Sequence, residues 1–229
     1  MNLSTGSIWG SKLSFVKRIV ILTALMGLSF SPMRAQVAPE RTVKDNVVTS
    51  LRDPPARIEL PGWFEYVGAD RWVLLDIADC ELHAFVKSGA GHEVQRLGWV
   101  QFEQYIPTRP ELHHTYDSPR HATISGVDFY VDTWVSNPEG KTKPGSDWEH
   151  IKALITRHGY TIGEMMFVRL VHLLDDAKRK ELMIIYAEDL KPTGFTAADL
   201  RDGGRAHDRW PQIEEELIER ARKAIALSQ

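Results

Sequence analysis

Apolar and polar side chains alternate across the middle of the chain with a period of two, the pattern of strands that bury one face. "WVLLDI" (Trp72 to Ile77) is a short apolar run. "ELHAFVK" (Glu81 to Lys87) sets Leu82, Ala84 and Val86 against Glu81, His83, Phe85 and Lys87. "RLGWVQFEQYI" sets Trp99, Gln101, Glu103 and Tyr105 against Val100, Phe102, Gln104 and Ile106. "SGAGHE" lies between these two runs and reads as a hairpin turn. A phosphate-cradling loop would precede a helix, whereas this segment precedes a strand. "ATISGVDFYVDTWV" predicts a further hairpin broken at Ser125-Gly126. Val127, Phe129, Val131, Thr133 and Val135 form its core face, and Asp128, Tyr130, Asp132 and Trp134 the other.

The pattern then changes. Ser146 and Glu149 fit a helix capping box, and Trp148, Ile151, Leu154, Ile155 and His158 make one stripe that Gly159 terminates. "EMMFVRLVHLL" and "KELMIIYAEDL" are apolar on both faces, as in strands covered twice. Their β-branched content and polar connection favour a hairpin over the alternative, a helix. Arg169 and His172 in this run face opposite ways, and Glu188 or Asp189 on the paired strand is the expected partner of Arg169. Thr196 caps a short turn or helix at "FTAADL". "WPQIEEELIERARKAIAL" is a helix with Pro211 in its first turn, Asp208 as a candidate cap, and charges that match the dipole. Ile213, Leu217, Ala221, Ala224 and Ile225 form its apolar stripe.

The sum is an α+β fold. It is a mainly antiparallel sheet of about six to eight hairpin-joined strands with two main helices packed on it. "RIEL" (Arg57 to Leu60) is the expected first strand, and residues 56–229 are read as a single domain. Residues 36–55 are polar and proline-punctuated and read as a flexible lead.

The first 35 residues belong to another class. They carry Lys12, Lys17, Arg18 and Arg34 and no acidic residue, around the apolar run "IVILTALMGLSF". A basic start, a short apolar middle and small residues nearby (Ala35, Ala38) are the marks of a secretory signal peptide. Met33 departs from the preferred cleavage pattern, and an uncleaved anchor is the alternative. The run is short of the roughly 20 residues that a span requires, so no stable membrane span is expected after processing. The expected location is periplasmic or secreted.

Without residues 1–35 the chain has 24 basic and 31 acidic residues, net −7. That balance argues against nucleic-acid binding, which requires a basic face. The single cysteine, Cys80, has no internal disulfide partner and is read as a small buried apolar residue. His83 is close in sequence, but on a strand the two side chains point to opposite faces.

Candidate chemistry concentrates in "HHTYDSPRH". His113, His114, Tyr116, Asp117, Arg120 and His121 fall within nine residues. Histidine nitrogens and carboxylate oxygens are zinc donors, and His113, Asp117 and His121 are the candidate ligands. A hairpin brings Asp128 or Asp132 near His121 as a further carboxylate. The spacing matches no HExxH, paired-cysteine, GxSxG, Rossmann or P-loop pattern. A strand-connecting loop that bonds its own backbone accounts for the same residues. The strand aromatics Trp99, Tyr105, Tyr130 and Trp134 either line a cleft for an apolar ligand or fill the core. The sequence therefore reads as an exported, non-enzymatic module that binds a small apolar ligand or an envelope protein. Alternatives are a metal- or histidine-dependent hydrolase using the 113–121 loop, and a structural subunit of an envelope assembly.

Overall fold

The computed structural model describes residues 38–52, 55–137 and 140–228. The signal peptide read at 1–35 lies outside the described residues. In chain order the elements are β1 (Thr42–Lys44), β2 (Val47–Leu51), β3 (Pro55–Glu59), β4 (Glu65–Leu74), β5 (Ala78–Ser88), β6 (Val94–Tyr105), β7 (Arg120–Ile124) and β8 (Val127–Val135). They continue with α1 (Asp147–Arg157), β9 (Met165–Leu173), β10 (Lys180–Asp189), α2 (Ala197–Leu200), α3 (Trp210–Ala224) and β11 (Ala226–Ser228). The fold is mixed α/β, with few helices and two antiparallel sheets. One has seven strands in the order β4-β5-β6-β10-β9-β8-β7, and the other has four in the order β1-β2-β3-β11.

Hairpin chemistry sets the registers. Ser125 (φ 51) and Gly126 (φ 82) close β7 onto β8, with Ile124 opposite Val127. Left-handed conformations at both central residues match the strand twist, which is why short polar residues and glycine sit there. β9 and β10 pair from Leu173↔Glu181 to Met165↔Asp189. β10 also pairs with β6 and is the middle strand of the seven. Its apolar character on both sides follows from that position, because both faces of the sheet are covered.

The two longer helices, α1 and α3, lie on opposite faces. α1 places Ile151, Leu154 and Ile155 over Leu82, Ala84, Trp99, Phe167, Val171 and Ile185. Ser146 caps α1 by accepting from the Glu149 amide, and the Glu149 carboxylate takes the Gly145 amide at 2.7 Å. On the other face α3 places Leu217, Ile218 and Ala221 over Met166, Val168 and Ile184, and the small sheet adds Val48 and Ile58. Each such leucine or isoleucine, fully withdrawn from water, contributes about 1.5–3 kcal/mol.

The structure corrects five expectations. The expected single sheet of about six to eight strands is two sheets, of seven and four, because the short N- and C-terminal strands pair with each other. Residues 36–55, read as a flexible lead, carry β1 and β2, and β3 starts at Pro55. "WVLLDI" is the end of the longer β4 rather than a strand of its own: Leu75 and Asp76 turn, with φ 48 and 58. Asp208 does not cap α3; it lies in a 3-10 turn, His207–Arg209, and the N-cap residue is Arg209. Arg169 bonds Asp132 of β8 at 2.6 Å, because Asp132 is its direct cross-strand neighbour. Glu188 is held instead by Tyr186, Arg96 and Arg220.

Candidate functional site

β5, β6 and β10 place three reactive side chains in one row. Cys80 is opposite Glu103, and Glu103 is opposite Glu181. All three have the parity of the α1 face, shared by Leu82, Trp99 and Ile185. Opposed side chains on neighbouring strands stand about 5 Å apart, and like charges there repel. Asp147, the first residue of α1, reaches the same row. One donor atom from each of Cys80, Glu103 and Asp147 lies within 4.8 Å of the others, and so do donors from Glu103, His114 and Glu181.

The 106–119 loop folds back over the row. It is anchored by a hydrogen bond from the His114 amide to the Lys178 carbonyl at 2.7 Å. Arg179 holds the rest of it. Its guanidinium donates to the carbonyls of Tyr105, Ile106, Arg109, Pro110 and Leu112. The His114 ring then stacks on Tyr105 at 4.4 Å, and its Nδ1 lies 3.0 Å from Glu181 Oε2. Tyr116 donates its hydroxyl to the same Glu181 oxygen at 2.5 Å. Trp99 Nε1 donates to Gln101, and Gln101 Nε2 to Glu103. Cys80 Sγ lies 3.5 Å from Glu103 Oε2.

Burial controls the electrostatics. The His114 and Glu181 side chains are 5% and 4% exposed. Desolvation, with Glu181 and Asp147 nearby, pushes Glu103 up to about 8. Desolvation pushes Glu181 up to about 7, against the Tyr116 hydrogen bond and the Arg169 charge. It also raises Asp147 and brings His114 down to about 4. At neutral pH His114 is uncharged, so its 3.0 Å contact with Glu181 is not an ion pair. Two polar atoms of the cluster are buried without a hydrogen-bond partner, His114 Nε2 and Asp147 Oδ1. Such atoms are rare in folded proteins, and each one asks for an explanation.

Two of the expected loop residues, His114 and Tyr116, enter this cluster. The expected ligands His113, Asp117 and His121 do not converge. His113 and Asp117 are exposed, and His121 is exposed with its ring against Tyr130 at 4.8 Å. Arg120 turns to the opposite face and pairs with Glu214 of α3 at 2.6 Å. Asp128 accepts from Thr123, and Asp132 accepts from Ser118 and Arg169. The aromatics share the α1 face. Trp99 is 3% exposed, Tyr130 packs on Tyr116, and Trp134 stacks on Phe167. Cys80 is buried and free, and His83 lies on the other face, as expected.

A second polar network escaped the sequence reading and is structural. Tyr66 Oη meets His83 Nδ1 at 3.2 Å, and His83 Nε2 meets Glu81 at 3.0 Å. The Glu40 and Arg41 amides donate to the two Glu81 oxygens. Burial opposes ionisation of Glu81, yet the bonds from His83 and the two amides hold it down at about 2.

The fold and the cluster together define a class: a mixed α/β protein with two antiparallel sheets and a buried carboxylate–histidine site at one sheet end. No known family model, curated protein or solved structure matches the chain.

Proposed function

We propose that this chain is an exported binding protein that holds a cation and carries out no turnover of its own. The supporting observation is the direct opposition of Glu103 and Glu181 on adjacent strands, with Asp147 beside them. Carboxylates brought this close in a desolvated place require a compensating positive charge. Burial keeps His114, the nearest histidine, neutral, and Arg169 is already paired with Asp132. A proton or a bound cation supplies the missing charge. The near-complete burial of His114 and Glu181 favours holding an ion over presenting it to a substrate.

The test uses untagged protein treated with a chelator and then titrated with Zn²⁺, Mn²⁺, Ca²⁺ and Mg²⁺ at pH 7.5. Saturable binding of at least one of them, with a rise in melting temperature, is the expected result. The absence of any such binding overturns the reading. The export part rests on residues 1–35, and N-terminal sequencing of protein from each cell fraction tests it. A processed chain outside the cytoplasm is expected; an intact chain confined to the cytosol removes this part.

A further inference from the structure

We infer that the bound cation is a zinc-class transition-metal dication, held by His114, Glu103 and Glu181, with Cys80 and Asp147 as adjoining donors. This inference rests on the cation-binding reading above and specifies its ligand.

The donor chemistry selects among cations. Calcium takes six to eight oxygens, and magnesium keeps most of its waters in a strict octahedron. Neither is suited to a site that offers an imidazole and a thiol. Imidazole and thiolate favour zinc and its neighbours in the first transition row. The geometry agrees. The Glu103, His114 and Glu181 donors lie within 4.8 Å of one another. Zinc binds such donors at about 2.0–2.2 Å, so small side-chain rotations close the set around it.

Two further observations point to a ligand. His114 is 6% exposed, yet its Nε2 has no partner. A ring nitrogen buried without a hydrogen-bond partner is open to a metal ion, which imidazole binds through either nitrogen. Asp147 Oδ1 is likewise buried and unpartnered, and Asp147 belongs to the set that Cys80 and Glu103 complete. Three protein donors leave a fourth position on a tetrahedral zinc for a water, and the Cys80 and Asp147 donors lie within 4.8 Å of Glu103 in a set of their own. Binding displaces protons from the donors that carry them, as Zn²⁺ binding generally does.

The ligand shell also has an outer support. Tyr116 bonds Glu181, and Gln101 bonds Glu103. Hydrogen bonds of this kind orient metal ligands and are part of built sites.

The experiment is competition of Zn²⁺, Mn²⁺, Ca²⁺ and Mg²⁺ for the chelator-treated, untagged protein, read against a chromophoric chelator. The expected result is a preference for Zn²⁺ over Ca²⁺ and Mg²⁺ of at least a thousandfold. His114→Ala and Glu181→Gln should each weaken Zn²⁺ binding by tenfold or more, whereas His121→Ala and Asp117→Ala leave it unchanged. X-ray absorption of the zinc-loaded wild type should show imidazole nitrogen in the first shell, and this readout stands even where a variant fails to fold. A preference for Ca²⁺ or Mg²⁺, or an all-oxygen shell, overturns the zinc inference and leaves the cation-binding reading intact. Tight zinc binding that neither His114→Ala nor Glu181→Gln disturbs overturns the site. No cation binding at all overturns both.

Discussion

Five backbone carbonyls converge on the Arg179 guanidinium, and the loop they belong to delivers His114 and Tyr116 to the carboxylates. Arg179 is thus a positioning residue for the cluster. Replacing it with alanine should lower cation affinity by about 10- to 100-fold, the usual cost of losing an outer support. The titration used for the wild type measures this, and an unchanged affinity would show that the loop holds its shape without the guanidinium. The titratable residues make a second prediction. Glu103 and Glu181 have folded-state pKa values of about 8 and about 7, above the ordinary 4.5. The folded state binds more protons than the unfolded state, so their contribution is fully present below pH 4.5 and is lost as pH rises through 7 to 8. His114, brought down to about 4, acts oppositely between pH 4 and its ordinary 6.5. Between pH 6.5 and 8 the glutamates dominate the change, because the ordinary values of the buried Cys80 and tyrosines lie higher. The melting temperature of chelator-treated protein should therefore fall between pH 6.5 and 8.5, and Glu103→Gln should flatten that fall. A flat wild-type profile would show that the two carboxyls are not coupled.

At the level of elements, Gly98 marks where the small sheet is pressed against the large one. A Cβ built on Gly98 would lie 2.4 Å from Leu60 Cδ2 and 3.4 Å from Phe64. Leu60 follows directly on β3 and is 2% exposed, so it has little room to withdraw. Gly98→Ala should cost about 1–3 kcal/mol, the usual range for overpacking, as read by urea unfolding. A neutral result would mean that Leu60 moves freely. The hairpins themselves were visible in the sequence. The β5–β6 and β7–β8 turns were signalled by glycine between runs of period two, and β9–β10 by apolar residues on both faces. β1, β2 and β11 were not visible. Strands of three to five residues carry too few positions for a period to register, and long-range pairing stabilises them.

At the largest scale, the described residues form a seven-stranded sheet covered on both sides. α1 covers one face, and α3 and the four-stranded sheet cover the other. Stability should be graded accordingly. Amide hydrogen exchange is expected to be slowest in β6, β9 and β10, where each strand has two partners and two covered faces. It is expected to be fastest in the edge strands β1 and β11. Faster exchange in β10 than in β1 would contradict this layering. The covering sheet also settles that both β5 faces are buried. Glu81 and His83 alternate with apolar residues, and their face is buried too: they are 2% and 0% exposed. The backbone that buries and satisfies Glu81 comes from residues 40 and 41, about forty positions away.

The sequence by itself determined the local periods, the turn positions, the helix caps at Ser146 and Thr196, and hence the antiparallel α/β character. These depend on neighbours within a few residues, and side-chain chemistry encodes such neighbours directly. It also marked His114 and Tyr116 as chemically loaded, though it tied them to His113, Asp117 and His121. Only the tertiary structure joined them to Glu103 and Glu181. Those two glutamates are 78 positions apart in the chain, and β-sheet register, not sequence spacing, sets them opposite each other. The same holds for the pairing of Arg169 with Asp132 and for the second sheet. Strand order decides which faces meet and which charges lose their water, and strand order is a property of the assembled fold.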